Sequence, residues 1–354
     1  MIRVALDLMG GDHAPASILD GALRCLDADA SDLHIVLVGQ PDVAAELLES
    51  RGASARVEVV PASQVITMAE DPARGIRTKR DASVRVCARL VRDGRADAMV
   101  SAGSTGAALA AAVFTMGRLR GISRPPLAAV VPAKAGPLIF LDVGANPEPG
   151  PELLASYALV GAALATVRLG IADPRVGLLS NGAEAGKGDL VRKEAFDLLA
   201  ALPVNFVGNV EGRDVPYGGV ADVVVTDGFT GNVLVKGLEG AAAMLTEVLL
   251  EALTATPERR AAAAELLPAI VGATAHMSPD VLGGAVLLGV NGVCVVGHGG
   301  SSPAAVASCI AVAQQAVREG LVPRIAGSLA RHADERAQRQ AAGEDAVHDE
   351  EATT

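Results

Sequence analysis

Three observations predict an α/β fold built on a mostly parallel sheet. Seven apolar runs read as strands, each ends within a few residues in a Gly-rich loop, and each loop opens into a helix-like segment. Unbroken apolar runs suit strands buried on both faces, and strand–helix alternation implies right-handed crossovers. Ligands of such sheets sit beyond the carboxyl ends of the strands, so the loops are expected to gather there.

The first run, Val4-Ala5-Leu6-Asp7, turns at Gly10-Gly11, and Pro15 suits the first turn of a helix carrying Ile18, Leu19, Ala22 and Leu23. Asp12 and His13 lie in that loop. A histidine there can bond a phosphoryl or carbonyl oxygen and titrate near neutrality, or merely cap a turn. The second run, His34–Val38, turns at Gly39. Between Arg74 and Arg95 eight cations then outnumber Asp81 and Asp93. Arg85, Arg89 and Arg92 fall on one helix face, which is either a dock for an acidic partner or a solvated surface.

The third run, Ala98-Met99-Val100, leads through Ser101, Gly103, Ser104 and Thr105 into the small-residue helix Ala107–Met116. Hydroxyls and free N–H groups at a helix start can hold an anion or simply cap the helix. No Gly-Lys-Ser/Thr follows, so the loop is not a Walker A motif. The fourth run, Leu138–Leu141, meets Asp142-Val143-Gly144-Ala145-Asn146, and the sixth, Val223–Val225, meets Asp227-Gly228-Phe229-Thr230-Gly231-Asn232. An amide can orient a carbonyl or phosphate while a carboxylate holds a base or cation. Local turn chemistry favours the same residues, but the pair occurs at two strand ends.

Between them, Tyr157–Val167 is far shorter than the roughly 20 residues of a membrane span and reads as a buried helix. The fifth run, Val176–Leu179, enters a loop in which Lys187 stands between Gly186 and Gly188, after Gly182 and Glu184. Such a lysine can neutralise an oxyanion or phosphate, or pair loosely with Glu184. From Glu258 to Ala275 an Ala-rich helix is expected to break near Pro268, within a hydrophobic helical hairpin spanning about residues 245–280. Leu266, Leu267, Ile270 and Val271 at the break can face a membrane, a partner, another subunit or the core. The seventh run, Val293–Val296, precedes His298, Gly299-Gly300, Ser301 and a helix from Ala304 to Val317, again suited to an anion. A dinucleotide fingerprint is not met, because no ribose-binding acid follows.

Residues 1–329 therefore read as one α/β domain with the possibility of two lobes, and residues 330–354 as a charged disordered tail. The chain carries a net charge of −11, and seven acids against three arginines from Arg331 onward supply part of it. That balance, with 2% aromatics and no Trp, argues against nucleic-acid binding. Cys25, Cys87, Cys294 and Cys309 are far apart inside apolar runs, which excludes CxxC and zinc spacings and suits reduced thiols in a cytoplasmic protein. The N-terminal sequence has no signal-peptide pattern.

Taken in order, MGGDHAP, SAGSTGA, DVGAN, GAEAGKG, Asn209–Asp214, DGFTGN, GGAVLLGVNG and HGGSS resemble the bacterial fatty acyl-acyl carrier protein:phosphate acyltransferases of the PlsX type, over about residues 1–325. Ser104 stands where that family usually carries Asn. The resemblance implies a three-layer α/β/α fold of the phosphotransacetylase and isocitrate-dehydrogenase kind, with no cofactor and no metal. It implies transfer of a long acyl chain from acyl carrier protein to inorganic phosphate for phospholipid synthesis. A homodimer, peripherally attached to the cytoplasmic membrane, is implied as well, with a membrane acyl-phosphate:glycerol-3-phosphate acyltransferase taking the product.

On this resemblance Lys187, His13, Asp227 and Asn232 are the candidate catalytic residues. Asp12, Ser101, Ser104, Thr105 and Asn146 are candidates for binding substrate or phosphate, as are Gly182, Glu184, Thr230, His298 and Ser301. Lys187 and Ser301 would hold phosphate, Asn232 and Asn146 would orient the thioester carbonyl, and His13 or Asp227 would handle protons. No cysteine occupies a matching loop, so direct attack is preferred to an acyl-enzyme. Arg85 and Arg89 become candidate carrier contacts, and Leu266 to Val271 candidate bilayer contacts. A short-chain phosphotransacetylase using coenzyme A, a non-catalytic scaffold and, more distantly, a dehydrogenase remain alternatives.

Overall fold

A computed structural model of the chain describes residues 1–28, 32–52, 54–274 and 279–351. The strands are β1 (Ile2–Asp7), β2 (Leu33–Gly39), β3 (Val57–Pro61), β4 (Ala98–Ser101), β5 (Leu127–Val131), β6 (Leu138–Leu141), β7 (Arg175–Ser180), β8 (Asn205–Glu211), β9 (Val223–Val225), β10 (Ala285–Leu287) and β11 (Val293–Val296). The helices are α1 (Ala16–Ala28), α2 (Pro41–Arg51), α3 (Pro72–Thr78), α4 (Ser83–Arg92), α5 (Thr105–Ala111), α6 (Pro151–Leu169), α7 (Leu190–Ala200), α8 (Asp214–Tyr217), α9 (Gly228–Thr254), α10 (Pro257–Thr274), α11 (Pro279–Leu282), α12 (Pro303–Arg318) and α13 (Leu321–Glu351). All seven apolar runs are strands. Four further strands, β3, β5, β8 and β10, complete an 11-stranded sheet in the order β3-β2-β1-β4-β11-β10-β5-β6-β9-β7-β8.

Two apolar layers explain the unbroken runs. Val4 and Leu6 pack on one face of the sheet with α1, α6, α7, α12 and α13, while Ala5 between them packs on the other with α3, α4, α5 and the start of α9. The result is three layers, α/β/α. Helix α6 is long and apolar enough to cross a membrane by composition, yet Tyr157, Val160 and Leu164 are buried against β6 and β9, so it is a core helix.

The expectation that the loops gather on one edge is corrected by the strand directions. β3, β2, β1, β4 and β11 are mutually parallel, as are β6, β9, β7 and β8. Between these halves lie three successive antiparallel pairings, β11 with β10, β10 with β5 and β5 with β6. An odd number of reversals makes the two parallel halves run in opposite directions. Loops following β1, β4 and β11 therefore leave one edge, called upper here, and those following β6, β7 and β9 leave the opposite, lower edge.

Two expectations about helices also change. Pro268 lies inside α10 and does not break it. The Ala- and Leu-rich flanks are strong helix formers, and on this exposed helix the carbonyl that the proline leaves unpaired can face water. The expected hairpin comprises α9 and α10 as far as Thr274, and its residues 275–278 lie outside the described residues. Helical backbone continues to Glu351 through the segment read as a disordered tail. Leu321, Ile325 and Leu329 anchor the start of α13, and the run beyond them is rich in Ala, Arg, Gln and Glu, which favour helix.

Candidate functional site

At the lower edge the fully buried Asp142 organises the loop after β6. Its Oδ1 accepts backbone N–H groups from Leu127 (3.1 Å), Gly144 (3.0 Å) and Ala145 (2.9 Å), and its Oδ2 accepts from the Asn146 backbone (2.7 Å) and amide (3.1 Å). Burial pushes this carboxyl above its ordinary range, opposed by those N–H donors. The Asn146 amide also donates to Pro125 O at 2.9 Å, so both of its N–H groups are spent within the protein. Asn146 pins a loop.

The loop after β9 is seated on this knot. Asp227 caps α9 by accepting the Thr230 N–H at 2.7 Å, and Gly228 N donates to Asn146 O at 2.8 Å. Glycine is required in that first turn. A Cβ at Gly231 would lie 1.9 Å from Asp142 O, and one at Gly228 2.7 Å from Asn146 O. The Asn232 amide donates to Val143 O at 3.0 Å, and its second N–H has no partner among the described residues.

Arg192, in the first turn of α7, joins the next loop to this pair. Its guanidinium bonds Asp189 Oδ2 (2.6 Å), Leu179 O (3.0 Å), Thr230 Oγ1 (3.3 Å) and the Asp227 carboxylate. Burial raises the Asp227 carboxyl, but the Thr230 N–H and hydroxyl and the Arg192 charge outweigh it and hold it below the usual range. The Asp227 carboxylate is thus engaged twice, as the cap of α9 and as the partner of Arg192. Sequence reasoning missed Arg192. The usable signal was Asp189-x-x-Arg192, a cation at a helix start, where the dipole disfavours positive charge unless an acid stands opposite.

Lys187 completes the lower group. Its loop is closed by Gly188 N to Asn181 Oδ1 (2.9 Å), Lys187 N to Glu184 O (3.0 Å) and Asn209 Nδ2 to Glu184 O (2.7 Å). The lysine stem crosses Gly182, where a Cβ would lie 2.8 Å from Lys187 Cγ. Lys187 is exposed and forms no ion pair among the described residues, Glu184 included. Around the same loop Ser180 Oγ and Asn209 Oδ1 are buried without partners, an uncommon combination in a native loop.

The upper edge holds the remaining candidates. Asp12 N donates to Gly299 O at 2.8 Å, which brings the loops after β1 and β11 together, and Gly11 takes φ +121° in the close turn between them. Ser101 is buried and donates to Asp7 Oδ2 at 2.7 Å. Ser104 caps α5, with Thr105 the next residue, and Ser301 Oγ donates to His298 O at 2.6 Å. His298 Nδ1 accepts the Gly300 N–H at 3.2 Å, and Asp12 and His13 are exposed. The fold thus brings Lys187, Glu184, Gly182, Asp227, Thr230, Asn232 and Asn146 to one edge, and Asp12, His13, Ser101, Ser104, Thr105, His298 and Ser301 to the other.

All four cysteines are buried, and burial raises the Cys294 and Cys309 thiols to about 12 and Cys87 well above its usual value. Burial of this kind disfavours the thiolate form.

Solved structures of similar fold include a phosphotransacetylase from Streptococcus pyogenes, with TM-score 0.60 and 18% identity over 90% of this chain and 94% of that one. A branched-chain phosphotransacylase from Enterococcus faecalis gives TM-score 0.56 and 16% identity over 90% and 99%. These likenesses concern the fold alone. In sequence, the phosphate acyltransferase of Desulfitobacterium hafniense strain Y51 is 45% identical over 94% of this chain and 98% of the relative, and that of Heliobacterium modesticaldum 44% over 92% and 96%. The family described as fatty acid synthesis protein matches residues 2–324. This chain therefore belongs to that family and is an enzyme of the phosphate acyltransferase class.

Proposed function

We propose that the enzyme transfers a long-chain fatty acyl group from acyl carrier protein to inorganic phosphate, releasing acyl phosphate and free carrier thiol for phosphatidic acid synthesis. The observation that carries this reading is the lower-edge arrangement: Lys187, without an ion pair among the described residues, lies on the Gly-rich loop after β7, and the neighbouring strand β9 opens into the α9 N-terminus that carries Asn232. Phosphate is already anionic at neutral pH, so catalysis has to hold it, offset its repulsion and stabilise the developing oxyanion.

In this reading Lys187 draws phosphate to the thioester. A phosphate oxygen forms the new C–O bond, the Asn232 N–H and the start of α9 receive the oxyanion, and the C–S bond then breaks with departure of the carrier thiolate. Asp227 keeps Arg192 in place, and Asn146 with Asp142 holds the loop that supports Asn232. His13 stands at the opposite edge and takes no part in this step within one chain.

Exposed Met244, Leu245, Val248, Leu249, Leu266, Ile270 and Val271 on the α9–α10 arm support peripheral attachment to the cytoplasmic membrane, where the enzyme would act as a homodimer. There a membrane acyl-phosphate:glycerol-3-phosphate acyltransferase would take the product.

The test is phosphate-dependent release of carrier thiol from palmitoyl-acyl carrier protein, with acyl phosphate trapped by hydroxylamine. Release that requires phosphate and falls strongly in a folded Lys187→Ala variant is expected. Consumption of acetyl-CoA without carrier turnover would replace the reading with a short-chain phosphotransacetylase, and inactivity on both would reject catalysis at this edge.

A further inference from the structure

Between α5 and β5 the chain makes a π-helical turn, Ala112–Met116, and then the lower-edge loop Gly-Arg-Leu-Arg-Gly-Ile-Ser-Arg-Pro at residues 117–125. Three arginines and no acid occur there, in a chain of net charge −11. The loop is fixed from beneath. Leu119 (9% exposed) and Ile122 (4%) are buried, Leu119 N donates to Gly289 O at 2.9 Å, and Asn291 bonds Gly117 O (2.9 Å) and Arg118 O (3.1 Å). Arg118, Arg120 and Arg124 are exposed, and among the described residues none lies within 4.0 Å of a carboxylate. Among the described residues the Arg118 guanidinium bonds only the Ser123 carbonyl. Just ahead of the loop Phe114 is 68% exposed.

The arginines first expected to meet the carrier are less free. Arg85 is half-buried and donates to Ile76 O at 2.6 Å, Arg89 is half-buried beside Asp81 and Asp93, and Arg92 bonds Asp93 at 2.8 Å. The loop at 117–125 also adjoins the proposed chemistry, because Pro125 O accepts the amide of Asn146, whose own carbonyl holds Gly228.

Resting on the function proposed above, we infer that residues 117–125 form the docking surface for the acidic carrier that presents the acyl thioester. Arginines on a fixed loop, without carboxylate partners among the described residues and preceded by one exposed aromatic, have the composition of a protein–protein contact, and their charge complements an acidic partner. A bilayer takes up several apolar side chains, which the α9–α10 arm presents and this loop does not.

The test compares two donors of one acyl group, acyl carrier protein and N-acetylcysteamine, using wild type and the Arg118→Glu/Arg120→Glu variant. KM for the carrier donor should rise about tenfold with kcat unchanged, kcat/KM should lose its salt dependence, and turnover of the small donor should stay the same. If the variant melts early, Arg118→Gln/Arg120→Gln replaces it, with a smaller rise in KM expected. Unchanged carrier KM overturns the docking surface alone. A rise found only with Arg85→Glu/Arg89→Glu does the same, as does loss of anionic-vesicle binding at unchanged KM. Wild-type protein that turns over neither thioester overturns the proposed function and, with it, the partner.

Discussion

Arg192 and Asp227 form an ion pair in which each side chain is only 14% exposed. The pair connects the first turn of α7 to the cap of α9, and so ties the Lys187 loop to the helix start carrying Asn232. Neither partner is isolated, since Asp189 and Thr230 complete the hydrogen bonding.

Removing the cation leaves a largely buried carboxylate uncompensated. Arg192→Ala is expected to cost about 3 kcal/mol of stability and to lower kcat, with Arg192→Lys recovering charge but not the fork of contacts. Thermal melts and phosphate-dependent turnover check this. Full activity in Arg192→Ala would show that the two loops do not need the bridge.

Lys187 is exposed and unpaired, so Lys187→Ala should leave the melting temperature nearly unchanged. In the proposed mechanism it lowers kcat/KM for phosphate by about 10²-fold. Titration of the rate against phosphate concentration separates the loss into KM and kcat. A variant with ordinary phosphate dependence would remove Lys187 from the site.

Asp142→Ala would leave four backbone N–H groups without their acceptor in the interior. A loss of about 3 kcal/mol or more is expected, measured by denaturant unfolding. Asp142→Asn keeps one acceptor oxygen and should fall between. Equal stability of all three proteins would mean that the loop is held elsewhere.

Because the Asp227 carboxyl is held below its unfolded value, its contribution is complete above the unfolded value and is lost as pH falls through the folded one. The stability difference between wild type and Asp227→Asn should therefore be full near pH ~7 and shrink on acidification below pH ~4. Denaturation midpoints across that range read it directly, and a constant difference would dissociate the effect from ionisation.

Strands buried on both faces were legible because burial forces every position to be apolar, as in Val223-Val224-Val225. β3 and β8, at the sheet edges, alternate exposed and covered residues and so dissolve into loop-like sequence. β10 is three residues inside a Gly-rich motif and gives no periodicity to read. Loop motifs were equally legible, because Gly231 and Asp142 are fixed by close backbone contact. Which loops share an edge was not legible. That depends on three antiparallel pairings, one of which joins β5 (Leu127–Val131) to the far-off β10 (Ala285–Leu287).

The late arrival of β10 and β11 bears on how the chain is made. These strands occupy the gap between β4 and β5, so a nascent chain that has not yet released residue 296 presents two open strand edges at what will become the middle of the sheet. Exposed edges are templates for pairing with other chains, and the apolar composition of β4 and β5 sharpens that hazard. Synthesis of nearly the whole polypeptide must therefore precede closure of its core, and truncation anywhere before β11 is expected to yield aggregation rather than a smaller stable enzyme.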